Sequence, residues 1–219
     1  MHMKPISARV SLVLSSMPAK VRLVAVTKGH SLEEIEPLIA AGVREIGEGK
    51  VQEAESKILA LKAAHPKIIF HMVGHLQRNK VKDAVALFDV LQGVDSVALA
   101  QKIGVEAQER RKQITILLQF RISGQESQSG YTSETELANA ISEIKKLETA
   151  HAPYFKLGGL MGIASRERPR EDFKRLRQLA ASFSLPILSM GMSGDYKIAL
   201  QEGSTMLRLG SALFEEKEF

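Results

Sequence analysis

Eight short apolar runs alternating with longer amphipathic stretches constrain the fold of this 219-residue chain more than any other feature. The runs lie at 22–27 (RLVAVT), 43–46 (VREI), 68–73 (IIFHMV), 89–94 (DVLQGV), 114–120 (ITILLQF), 155–161 (FKLGGLM), 186–189 (PILS) and 206–209 (MLRL). Strands that are apolar rather than alternating are covered on both faces, as in parallel sheets joined by right-handed helical crossovers. An open doubly wound sheet and a closed barrel both satisfy that pattern. The count of eight favours the barrel, and the GxGxxG fingerprint that an open dinucleotide-binding sheet offers after its first strand is absent. The expected fold is therefore a single-domain (β/α)8 TIM barrel over 1–219, with an extra N-terminal helix from about residue 3 to 16.

The intervening segments carry helix punctuation. Ser31 with Glu34 forms a capping box before Ile35, Leu38 and Ile39, and Gly42 supplies the stop; Ser133 with Glu136 repeats the pattern before Leu137, Ile141 and Ile144. Asp95-Ser96 precedes Leu99, Ala100 and Ile103, Pro169 sits at a first-turn position before Phe173, and Gly203 closes the segment carrying Ile198 and Ala199.

The absence of cysteine excludes disulfides and thiolate metal sites. MHMKPISARV lacks the apolar core of a signal peptide and no run is long enough to span a bilayer, so a cytoplasmic chain without membrane association is expected. A net charge of +5 helps retain an anionic ligand, but Glu109-Arg110-Arg111-Lys112 reads as a solvated helix end without the interleaved aromatics of a nucleic-acid surface. His71 and His75 have the spacing of a helical metal pair, yet they straddle a strand end and its Gly74, so no metal site is expected.

Barrel chemistry sits at the C-terminal ends of the strands, and the loops after strands seven and eight commonly hold phosphate. The first of these loops reads Met190, Gly191, Met192, Ser193, Gly194; the second opens with Gly210 and Ser211. Both offer glycine backbone, a hydroxyl and a helix start, which favour an anion. Lys28, directly after the first strand, stands on the same rim beside strand eight, and Arg208 lies in strand eight itself. A rim lysine is by default a solvated end. Beside a phosphate site it becomes a salt-bridge clamp or, partly desolvated, a Schiff-base amine. An aldehyde-bearing phosphate that uses such a lysine is pyridoxal 5′-phosphate (PLP).

The chain resembles the pyridoxal phosphate homeostasis family, which is related to the barrel domain of alanine racemase. The matching stretches are VAVTK (24–28), GEGKVQE (47–53), FHMVGHLQRNKVK (70–82), VDS (94–96), ISGQESQSGY (122–131), GGLMGIA (158–164) and LSMGMSGDYKIALQEGSTMLRLGSALF (188–214). The resemblance implies PLP as cofactor, Lys28 as its covalent partner, a phosphate cradle of Ser193, Gly210 and Ser211 adjoined by Gly194, and Arg208 facing the pyridine nitrogen. Gly49, His75, Met161 and Met190 are further candidate contacts near the mouth. The chain departs from the family pattern at Gly29, His30 and Ser31, at Gly49, and at Arg121, where asparagine is usual at the last two.

Racemisation wants an acid/base on each face of the reacting carbon. Lys28 serves one face. The resemblance places the racemases' second base, a tyrosine, on a partner subunit shaped by a β-domain that this sequence lacks, and of Tyr131, Tyr154 and Tyr196 only Tyr131 lies in a loop able to approach the ligand. The expectation is therefore a monomeric carrier that binds PLP and delivers it to PLP-dependent apoenzymes. Slow racemase activity is the alternative.

Overall fold

A computed structural model of the protein describes residues 5–215. Its strands β1 (Arg22–Val26), β2 (Glu45–Glu48), β3 (Ile69–Met72), β4 (Val90–Val94), β5 (Ile114–Gln119), β6 (Phe155–Met161), β7 (Ile187–Ser189) and β8 (Met206–Leu209) pair in parallel in chain order and close on themselves, β8 against β1. This is the (β/α)8 barrel that the alternation predicts. The N-terminal helix α1 (Ile6–Ser16) is present; residues 3 and 4 of its predicted range lie outside the described residues.

Around the barrel follow α2 (Leu32–Ala40), α3 (Val51–Ala64), α4 (Val81–Leu87), α5 (Val97–Glu109), α6 (Glu134–Ala150), α7 (Pro169–Ser182), α8 (Tyr196–Gln201) and α9 (Ser211–Phe214). The predicted starts are visible as hydrogen bonds: the Ser31 N–H donates to Glu34 Oε2 at 2.8 Å, Leu99 N–H to Ser96 Oγ at 3.4 Å and Glu136 N–H to Ser133 Oγ at 3.1 Å. Glu136 departs from a reciprocal box by reaching one residue further back, accepting from both Thr132 N–H and Thr132 Oγ1. Pro169 is the first residue of α7, where its missing N–H is no loss. Among the described residues, no helix is long and apolar enough to cross a membrane.

Side chains alternate across each strand, and that parity divides the core. Leu23, Ala25, Ile46, Phe70 and Leu91 belong to the apolar layer shared by strands and helices, while Val24, Val90, Leu117, Met161 and Met206 form a second, smaller cluster. The second strand lies two residues later than its apolar pattern suggests, at Glu45–Glu48, with both carboxylates buried. The displacement is possible because each carboxylate meets a cation: Glu45 lies against Arg22 and Glu48 against Lys57. Glycine closes the strand ends. A Cβ on Gly74 would stand 2.2 Å from the Gly49 carbonyl oxygen, and one on Gly93 would stand 2.7 Å from that of Gly74.

Candidate functional site

The register of β1 with β8 places Arg22, Val24 and Ala25 opposite Met206, Arg208 and Leu209, so continuing the inward parity of Arg22, Val24 and Val26 brings Lys28 over the mouth. Lys28, Ser193, Gly194, Arg208, Gly210 and Ser211 line one cavity of about 550 Å³ there. Val26, Val73, Ile163 and Met192 supply apolar wall to the same cavity. The Lys28 side chain is exposed at the rim.

A buried triad fixes the turn that carries Lys28. Thr27 Oγ1 donates to Glu48 Oε1 at 2.6 Å, and Lys57 Nζ of α3 donates both to that oxygen and to the Thr27 carbonyl, each at 2.8 Å. Thr27 and Glu48 are buried and the Lys57 side chain is 13% exposed, so the ion pair is shielded from water. Gly29 follows at φ +79°, a left-handed conformation that glycine adopts without strain. His30 then stacks on Phe214 of α9 with centroids 3.5 Å apart and rings inclined by 10°, tying the Lys28 turn to the last helix.

Ser193 joins the two anion-favouring loops. Its Oγ accepts from the Gly210 N–H at 3.3 Å and from the Ala212 N–H at 3.0 Å. With both acceptor directions used, the hydroxyl proton is left for an anionic acceptor. Arg208 closes the cavity floor. Its Nη1 donates to Ser189 Oγ at 2.6 Å and its Nη2 to the Gly162 carbonyl at 3.0 Å. Burial pushes the guanidinium down to about 10, with Asp195 opposing the shift. It remains a cation at neutral pH. The Asp195 carboxyl is itself raised by burial, against the hydrogen bond from Met192 and the charge of Arg208.

The other sequence candidates lie elsewhere. Gly49 and His75 line an adjoining depression of about 470 Å³, although a Cβ on Gly49 would come within 3.8 Å of Lys28 Cδ. His75 is half exposed, with Nδ1 3.2 Å from Asp95. Met161 and Met190 are buried in the two apolar clusters and do not line the Lys28 cavity. Tyr131 is buried as well: a bridge pairs it with Phe120, its N–H donates to the Gln119 carbonyl, and its hydroxyl has no hydrogen-bond partner. Burial, with Asp95 and Glu136 nearby, raises its phenol well above the usual range. His71 and His75 engage different partners, Glu45 and Asp95. Sequence reasoning missed Thr27, Glu48 and Lys57, and it noted His30 only as a departure from the family pattern.

The sequence matches the alanine racemase N-terminal domain model over residues 2–217. A pyridoxal phosphate homeostasis protein of Synechocystis sp. is 38% identical over 218 residues, covering 94% of this chain and 96% of the relative. The chain belongs to the pyridoxal phosphate homeostasis family. A mouse member is 33% identical over 90% of this chain and 77% of its own length. Among solved structures, PipY of Synechococcus elongatus with PLP bound superposes with a TM-score of 0.86 at 33% identity, covering 95% of this chain and 99% of that one. An alanine racemase of Clostridium difficile shares the barrel alone, with a TM-score of 0.76 at 13% identity over 98% of this chain and 60% of the racemase.

Proposed function

We propose that this protein binds PLP at the barrel mouth, holds it through a Schiff base to Lys28, and serves to store and deliver the cofactor rather than to turn over a substrate. The observation that carries the reading is the convergence, in one cavity, of an amine, an anion cradle and a buried cation. The donor set fits the group. Ser193, Gly210 and Ser211 receive the phosphate, Lys28 meets the aldehyde, and Arg208 faces the ring nitrogen. When bound, PLP supplies an electrophilic carbon and a conjugated ring that withdraws electrons. A guanidinium beside the ring nitrogen disfavours its protonation and so restrains that withdrawal.

Delivery is favoured over racemisation by the placement of Tyr131. Proton exchange on both faces needs a second base; among the described residues no tyrosine lines the Lys28 cavity, and of the other bases there His30 is already held by Glu34 and stacked on Phe214, and Glu215 is likewise engaged. The rim position of Lys28 leaves its amine accessible for exchange with incoming amines.

Titrating PLP into wild type and Lys28→Ala, followed by incubation of the loaded wild type with L-alanine, tests the reading. Wild type is expected to develop a visible absorption band that Lys28→Ala lacks, and to form no more D-alanine than free PLP does. An equal band in the variant overturns the covalent role; sustained D-alanine formation overturns the carrier role.

A further inference from the structure

Behind Arg208 the barrel interior is not purely apolar. Ser189 Oγ, which accepts from Arg208, donates to Gln92 Oε1 at 2.6 Å. Gln92 Nε2 lies 2.9 Å from His71 Nδ1 and 3.3 Å from Met206 Sδ. His71 Nε2 lies 2.9 Å from Glu45 Oε2, without the alignment of a hydrogen bond, and Glu45 Oε1 accepts from Arg22 Nε at 2.6 Å. Ser189, Gln92 and His71 are fully buried, on β7, β4 and β3. The series runs from the mouth to Arg22 and Glu45, the first residues of β1 and β2, at the opposite end of the barrel.

The chemistry of the two ends sets the direction of every proton between them. A guanidinium only donates and a carboxylate only accepts. Ser189 therefore accepts from Arg208 and turns its single proton to the Gln92 oxygen. The Gln92 amide nitrogen then faces His71, whose Nδ1 must accept, leaving the ring proton on Nε2 beside Glu45. Reversing the Gln92 amide would set its oxygen against Nδ1 and Sδ, two acceptors. Burial lowers the His71 imidazole below its usual range despite Glu45, which keeps the ring neutral in this tautomer at neutral pH. Burial alone would raise Glu45, but its contacts with His71 and Arg22 outweigh that and hold it below the usual carboxylate range. Since His71 is neutral, Arg22 is the counter-ion that keeps Glu45 charged.

We infer that Ser189, Gln92 and His71 form a one-way hydrogen-bonded chain that positions the Arg208 guanidinium, with the Glu45 carboxylate beside His71 Nε2 setting the ring's tautomer at the far end. Bonds polarised in one sense strengthen each other in a low-dielectric interior, so Ser189 is a better acceptor for Arg208 because Gln92 takes its proton. These are positioning residues, since none of the four lines the Lys28 cavity. The inference rests on PLP occupying that cavity with its ring nitrogen at Arg208.

A double-mutant cycle on PLP affinity, read together with the visible spectrum of the bound ligand, tests it. Gln92→Leu keeps the volume and cuts the chain at its centre. It is expected to weaken PLP binding about tenfold, the scale of one lost hydrogen bond to a charged group, and to shift the band. In an Arg208→Lys background the same substitution should change affinity less than about twofold, because the group that the chain serves is gone. Glu45→Gln keeps the shape, removes the charge and should shift the band in the same direction. It guards against a fold that does not tolerate Gln92→Leu. Unchanged affinity and spectrum in both single variants, or a tenfold loss persisting with Lys at 208, overturns the inference. Wild type that fails to take up PLP would instead refute the binding reading beneath it.

Discussion

Lys57→Met exposes how strongly the fold invests in the turn that carries Lys28. The substitution keeps an unbranched apolar stem and deletes the ammonium that contacts Glu48 Oε1 and the Thr27 carbonyl. Glu48 is then left as a carboxylate at 2% exposure with Thr27 Oγ1 as its remaining donor. Removing one partner of a buried ion pair costs about 3–5 kcal/mol, because the other charge stays desolvated. For a domain of this size that lowers the melting temperature by about 6–20 °C. The double variant Lys57→Met/Glu48→Gln removes both charges and is expected to recover most of the loss, with a coupling of about 2 kcal/mol or more. Urea unfolding at pH 7 measures each term. A loss below about 1 kcal/mol in Lys57→Met, or no recovery in the double variant, would refute the claim that Lys57 is the principal partner of the buried Glu48 side chain.

Two other expectations follow from burial. His71 and Glu45 both bind protons less readily in the folded chain than in the unfolded one. Stability should therefore fall as pH drops below about 6.5, and fall further through the carboxylate range, with each group contributing at most about 1.4 kcal/mol per pH unit. Glu45→Gln should flatten the more acidic part of a melting-temperature profile; an unchanged acid limb would contradict the assignment. Gly159→Ala would place a Cβ 1.9 Å from the Ile187 carbonyl oxygen across the β6–β7 pair, so denaturant unfolding should show a loss of at least about 3 kcal/mol, and a neutral result would mean that these strands do not approach so closely.

The barrel and the convergence of its mouth residues are legible in the sequence for a geometric reason. Apolar periodicity locates the strands, parallel pairing sends every strand end to one face, and Lys28, Ser193 and Gly210 must then share a rim. The limits of that reading are equally physical. VREI reads as a strand through Val43 and Ile46, but β2 begins at Glu45 and ends at Glu48, whose counter-charges come from positions 22 and 57. Buried charge is recognised through its partner, and periodicity within one segment carries no information about a partner on another. The same holds for Gln92, which bonds Ser189 across 97 positions of sequence. Tyr131 reads as a loop residue able to approach the mouth, yet its bridge to Phe120 buries it. The period-2 parity that carries Arg22, Val24, Val26 and Lys28 along one face was the available signal for the inward polar residues, since it also selects His71, Gln92, Ser189 and Arg208 once the strands are placed.

Borohydride reduction of the PLP-loaded protein, followed by peptide mapping, tests the central claim most directly. A single stable pyridoxyl label is expected on the peptide containing Lys28. A label on any other lysine, or none on a protein that has visibly taken up the cofactor, would contradict it.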